Sequence, residues 1–105
     1  MATKVTIRSR SEFQKVLSEA IGLLRSLSKE TPGFPPYENI ARQLDAMSQW
    51  TSGGRVPSAE ERSSIDVGLV AARELDAYPD SKIQDLAHRL YELNAFFGDF
   101  PSAGR

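Results

Sequence analysis

No cysteine occurs in the sequence, and its single histidine is His88. The first absence excludes disulfides, thiol nucleophiles, iron–sulfur clusters and thiolate zinc sites. The second leaves any metal centre dependent on carboxylates. Asp85 and Glu92 share a helical face with His88, but a solvated charged helix produces such triplets routinely, so neither a metal nor another cofactor is expected. Charge of neither sign dominates: 13 Lys plus Arg against 14 Asp plus Glu leave a net charge of −1. No global field therefore draws in phosphate backbones or anionic lipid, and neither nucleic acid nor membrane is an expected partner. No apolar run approaches the roughly 18–20 residues that span a bilayer, and Met1-Ala2-Thr3-Lys4-Val5 leads into no signal-like apolar stretch, so a cytoplasmic location is expected. Catalytic frames are missing as well. No serine sits in a G-x-S-x-G elbow, and Gly53-Gly54 follows a helix instead of a strand, which makes it a turn and not a phosphate cradle. An enzyme is not expected.

What the chain does contain is helical periodicity. Its 105 residues, 40% hydrophobic and 26% charged, suit a single domain spanning 1–105. Phe13, Val16, Leu17, Ala20, Ile21, Leu24 and Leu27 recur at three- and four-residue steps and define a first helix over residues 10–29. Ser9 and Glu12 have capping-box spacing, and Thr31-Pro32-Gly33 stops the helix. Lys4 to Arg8 alternates like a strand without a partner, so residues 1–8 read as an extended arm. Phe34-Pro35-Pro36-Tyr37 reads as a rigid linker, since proline fixes its own φ and restricts the residue before it. A second helix over 37–51 carries Tyr37, Ile40, Ala41, Leu44 and Met47 on one face and Glu38, Arg42, Asp45 and Gln49 on the other.

Ser58 and Glu61 repeat the capping-box spacing and open a third helix over 58–77. Ile65, Gly68, Leu69, Ala72 and Leu75 cover one broad face, and Val67, Val70 and Ala71 cover much of the opposite one, which predicts the most buried element of the fold. Gly68 suits a close approach by a neighbouring helix. Arg62 and Asp66, four residues apart, are spaced to pair. Tyr78-Pro79-Asp80 breaks the chain, and a fourth helix over 81–97 is capped by Asp80 or Ser81. It buries Ile83, Leu86, Ala87, Leu90, Leu93 and Phe97. Residues 99–105 read as a frayed tail. The expected fold is therefore all-α, a compact antiparallel bundle of four main helices joined by short connections.

From Pro36 to Phe97 the pattern is more specific: Pro36-Tyr37 with Ile40, Gln43-Leu44, the Gly53-Gly54 turn, Pro57-Ser58-Ala59-Glu60-Glu61, and the run Ile65 to Asp76 containing Gly68-Leu69-Val70-Ala71-Ala72-Arg73-Glu74. This resembles the small helical immunity proteins that protect bacteria from a type VI secretion effector with NAD(P)+ glycohydrolase activity. The resemblance implies a non-catalytic inhibitor that binds the toxin domain of its cognate effector in the cytoplasm and blocks access to the active site. An exposed surface on the second and third helices is then the docking face, with Tyr37, Arg42, Asp45, Asp66, Arg73 and Glu74 as partner-binding residues. Tyr37, Phe34 and Trp50 read equally as closures of the core ends, and Arg73 and Glu74 equally as residues that orient the core. The alternative function is a self-associating helical adaptor or regulatory interaction module, a homodimer built through Phe96, Phe97 and Phe100.

Overall fold

Three of the helices start where a side chain beside them caps the first amide groups. The structure is a computed structural model that describes residues 7–100. Five α-helices follow one another: α1 (Arg10–Glu30), α2 (Pro35–Trp50), α3 (Ala59–Ser63), α4 (Val67–Glu74) and α5 (Ser81–Gly98), with a 3₁₀ turn at Ser52–Gly54 after α2. The four helical stretches read from the sequence are all present, the third as two short helices. Most of the arm and of the tail, residues 1–6 and 101–105, lie outside the described residues.

Ser9 caps α1 by accepting from the Glu12 amide at 3.2 Å, while the Glu12 carboxylate reaches back to the Arg8 amide at 3.0 Å. Ser58 and Glu61 complete the full reciprocal box at α3, and Asp80 caps α5 by accepting from the Lys82 and Ile83 amides. At α2 the expectation of a linker fails. The helix begins at Pro35, with the prolines in its first turn and Phe34 as the N-cap. Proline fits there because its fixed φ is already helical and the N–H it lacks would have had no partner.

The apolar stripe of α1 packs against those of α2 and α5, and Phe13, Leu17, Ile40, Leu44, Met47, Leu86, Leu90 and Leu93 are all buried. The third helical stretch departs from expectation in two ways. It breaks at Ser64–Asp66, and it is not the most buried element. With α4 as an independent helix, Val67, Ala71 and Leu75 become its inner stripe, whereas Ala72 is exposed and Leu69 is 49% exposed. The central position belongs to α5, which packs against α1, α3 and α4 and buries six residues of its own. Gly68 has the close neighbour its size allows: a Cβ there would lie 3.3 Å from Asn94 of α5.

The break also undoes the pairing expected between Arg62 and Asp66. Arg62 turns toward the end of α5 and donates to the carbonyls of Phe100 at 2.7 Å and Gly98 at 3.3 Å. Phe100, read from sequence as part of a frayed tail, is 2% exposed. Its ring meets Phe13 edge-on at 5.5 Å, Phe13 stacks on Phe96 at 5.4 Å, and Trp50 stacks on Phe97 at 6.3 Å. Phe96, Phe97 and Phe100 are thus core residues, and the apolar surface on which the adaptor reading rested is turned inward.

Candidate functional site

The break before α4 is held from a distance by the side chain of Gln43. Its Oε1 accepts from the Asp66 amide at 2.8 Å, and its Nε2 donates to Asp66 Oδ1 at 2.6 Å and to Asn39 Oδ1 at 3.0 Å. One residue of α2 therefore fixes both the backbone and the carboxylate of the residue that precedes α4. Two residues on, the Gly68 amide donates to Asn94 Oδ1 at 2.8 Å. Asp66 provides no side-chain cap to its own helix, so Asn94 supplies from α5 what an N-cap would normally supply locally.

Held in this way, α4 stands beside the proline-bearing start of α2 and leaves a groove of about 560 Å³ between them. Phe34, Pro35 and Pro36 form one wall, with Asn39 beyond them; Asp66, Leu69, Val70, Arg73 and Glu74 form the other. Phe34 is braced by edge-on contacts with Tyr37 at 4.8 Å and Tyr78 at 5.8 Å. Burial, reinforced by the nearby carboxylates of Asp80 and Glu30, pushes the Tyr37 phenol above its ordinary range and keeps it neutral behind the wall.

Of the residues singled out from sequence, Asp66, Arg73 and Glu74 come together in this groove. Tyr37 does not reach its surface: at 5% exposure the ring belongs to the core and supports Phe34 from behind. Arg42 is exposed on α2 outside the groove lining. Asp45 lines a separate depression of about 320 Å³ between α1 and α2, where it accepts from Gln49 at 2.9 Å. Sequence reasoning missed Leu69, which it placed in the core, and also the positioning roles of Gln43 and Asn94. For Leu69 the signal was present, because the Val67, Ala71, Leu75 spacing puts Leu69 and Arg73 together on the opposite face.

Charge in the groove is left unsettled by the fold. Among the described residues neither Arg73 nor Glu74 makes an ion pair, and the carboxylate of Asp66 meets only the neutral amide of Gln43. Arg73 near the C-terminus of α4 complements the helix dipole, whereas Glu74, the last helical residue, opposes it. A second polar depression, about 390 Å³, contains Arg10 and Arg55, but its cations are engaged. Arg55 pairs with Glu61 at 2.9 Å and donates to the Trp50 carbonyl, and Arg10 lies over the Phe100 ring at 5.4 Å. No group of three His, Asp or Glu side chains converges on a metal position among the described residues.

A family model described as Tsi6 matches residues 12–98. The chain belongs to the Tsi6 family. This is a family of type VI secretion immunity proteins, and such proteins bind a cognate effector. The match starts inside α1 and ends at the last residue of α5, so the Tsi6 pattern takes in all five helices and not only the stretch from Pro36 that carries the sequence resemblance, with the core residue Phe100 just beyond it. No curated protein and no solved structure matches the chain. Among the described residues no helix is long and apolar enough to cross a membrane.

Proposed function

We propose that this Tsi6-family protein is the antidote to a type VI secretion effector that hydrolyses NAD(P)+, or to another nucleotide-directed toxin, and that it acts in the cytoplasm by docking on the toxin domain and covering its active site. It performs no reaction and needs no cofactor. Family membership over residues 12–98 carries this reading. The groove supports it, because an inhibitor of this kind needs a surface whose charges are not already used internally. Asp66, Arg73 and Glu74 make the contacts in the groove, Arg42 and Asp45 extend them along the exposed side of α2, and Tyr37 acts from within the core as a brace.

The test is co-expression with the toxin domain encoded beside this gene. Protected growth, a co-purifying complex and loss of NAD(P)+ hydrolysis when the two proteins are mixed at equal concentration are the expected results. Continued killing at equal expression refutes the reading for that toxin. The self-associating adaptor is not carried forward, since the phenylalanines that suggested it are buried.

A further inference from the structure

The outward side of α4 combines features that the fold itself does not use. Leu69 is 49% exposed although four neighbouring apolar positions of the same stretch, Ile65, Val67, Ala71 and Leu75, are buried. Arg73, four residues on, shares its face. Glu74 carries a negative charge at the negative end of a helix, without an ion pair among the described residues. A residue that opposes its local environment and receives no internal compensation is what a binding surface looks like before its partner arrives. Across the groove stand Phe34, Pro35 and Pro36, a stiff apolar wall whose first-turn prolines leave no amide donors in need of water.

We infer that this groove receives a basic segment of the effector's toxin domain, one apolar side chain of which packs against Leu69, Val70 and the Phe34–Pro36 wall while a neighbouring Lys or Arg reaches Glu74. The inference rests on the immunity reading and adds to it the docking face and the chemistry of what docks. Charge decides the sign. The groove holds two carboxylates against one guanidinium, and the carboxylates lie at its two ends, roughly 12 Å apart along α4 at 1.5 Å per residue. Asp66 has one oxygen committed to Gln43 and the other without a hydrogen-bond partner among the described residues. A segment with net positive charge is complementary, and an acidic one meets two carboxylates for one cation. A toxin that binds a dinucleotide pyrophosphate must itself concentrate cations around its catalytic mouth, so a surface of this sign suits the place an occluding inhibitor has to cover.

The experiment measures binding of the full chain to a catalytically inactivated form of the neighbouring toxin domain, alongside melting temperature. Leu69→Asp and Glu74→Arg are each expected to weaken binding at least tenfold, the second chiefly through slower association and a flatter dependence on salt. Both positions are exposed, and Glu74→Arg removes an acid from the wrong end of a helix, so melting is expected to hold. The exposed Lys15 lies outside the groove, and Lys15→Glu is expected to change affinity less than twofold. A scan of Lys and Arg to Glu on the toxin should contain one reversal that restores binding to the Glu74→Arg protein. A wild-type complex that both groove variants keep within twofold overturns the inference and leaves the immunity reading standing. Loss of binding in Leu69→Asp alone overturns the basic partner. Absence of any complex or protection with the wild-type chain overturns both the inference and the reading it rests on.

Discussion

Replacing Gln43 with Met removes both bonds that hold Asp66 while keeping the length and the apolar stem of the side chain. One of these bonds is neutral, from the Asp66 amide at 2.8 Å, and the other joins the Gln43 amide to a carboxylate at 2.6 Å. A neutral hydrogen bond contributes about 0.5–1.5 kcal/mol net, and one to a charged group about 1.5–3 kcal/mol. Because Asp66 is exposed and water can replace part of the lost contact, the lower end applies, and the two together amount to about 2 kcal/mol. For a domain of this size that corresponds to a fall in melting temperature of roughly 10 °C. Circular dichroism melting gives the total. Amide hydrogen exchange gives the location, since protection should drop first at Asp66, Val67 and Gly68 and later in α1 and α5. Asp66→Asn separates the fold's use of this residue from the partner's. It keeps an acceptor for Gln43 and loses the charge assistance of that bond together with the favourable charge at the start of α4, about 1–1.5 kcal/mol in all, less than Gln43→Met. If that variant melts above Gln43→Met yet binds the toxin domain less well than Gln43→Met does, the carboxylate acts at the interface. If Gln43→Met melts within 2 °C of wild type, the clamp is not what holds α4 in place, and burial of Ile65 and Val67 alone must set the break.

Asn94→Ala leaves the Gly68 amide without its acceptor and should destabilise by about 1 kcal/mol, the ordinary value of a lost N-cap, read as a lower urea midpoint at unchanged slope. Phe100→Ala empties an aromatic site between Phe13 and Phe96 and should cost about 3 kcal/mol or more, while Arg62→Ala should raise hydrogen exchange in the last turn of α5. The hydrogen bond from Arg55, followed by that from the Ser58 amide, holds the Glu61 carboxyl below the ordinary carboxylate range. A lowered folded pKa means that stability from this group is complete above its unfolded value of 4.5 and disappears as pH falls through the folded one. Titration of the Glu61 carboxyl by NMR should accordingly move upward in Arg55→Gln, and an unchanged titration would remove Arg55 as the cause.

The helices that were legible in sequence are those whose information is local. In α1 and α5 the apolar spacing runs for several turns without interruption, and a cap residue marks each start. At α2 the prolines carried the correct signal, but it permits either a linker or a helix start, and only the packing of Tyr37 and Ile40 decides between them. The break at Ser64–Asp66 has only a weak local mark. Neither glycine nor proline stands there; the Ser63 and Ser64 hydroxyls donate back to the Glu60 and Glu61 carbonyls and end α3, but the bonds that fix Asp66 come from Gln43, separated by 23 positions. The periodicity predicts a single continuous helix, and that helix carries Leu69 into the core. Phe100 departs from the tail that the sequence predicts for a related reason: the glycine that ends α5 signals a stop, but nothing local reports that Phe13 and Phe96 leave a place for the next aromatic ring.

This non-local break links stability to recognition in α4. Had residues 58–77 formed one helix, its apolar positions would have covered most of its circumference and left little polar surface to face a partner. Restarting the helix at Val67, with Gln43 and Asn94 holding the new start, confines burial to Val67, Ala71 and Leu75. Leu69, Arg73 and Glu74 are thereby released to the outside. Substitutions on the outer side should change affinity for the toxin domain with melting temperature held within a few degrees. Substitutions at Gln43, Asn94 or Ala71 should lower both together, because they move the helix that carries the outer residues. A survey of variants plotted as affinity against melting temperature should therefore separate into those two groups. A single continuous trend, with Leu69 and Glu74 variants losing affinity only as far as they lose stability, would mean that α4 contributes to the fold and nothing to recognition.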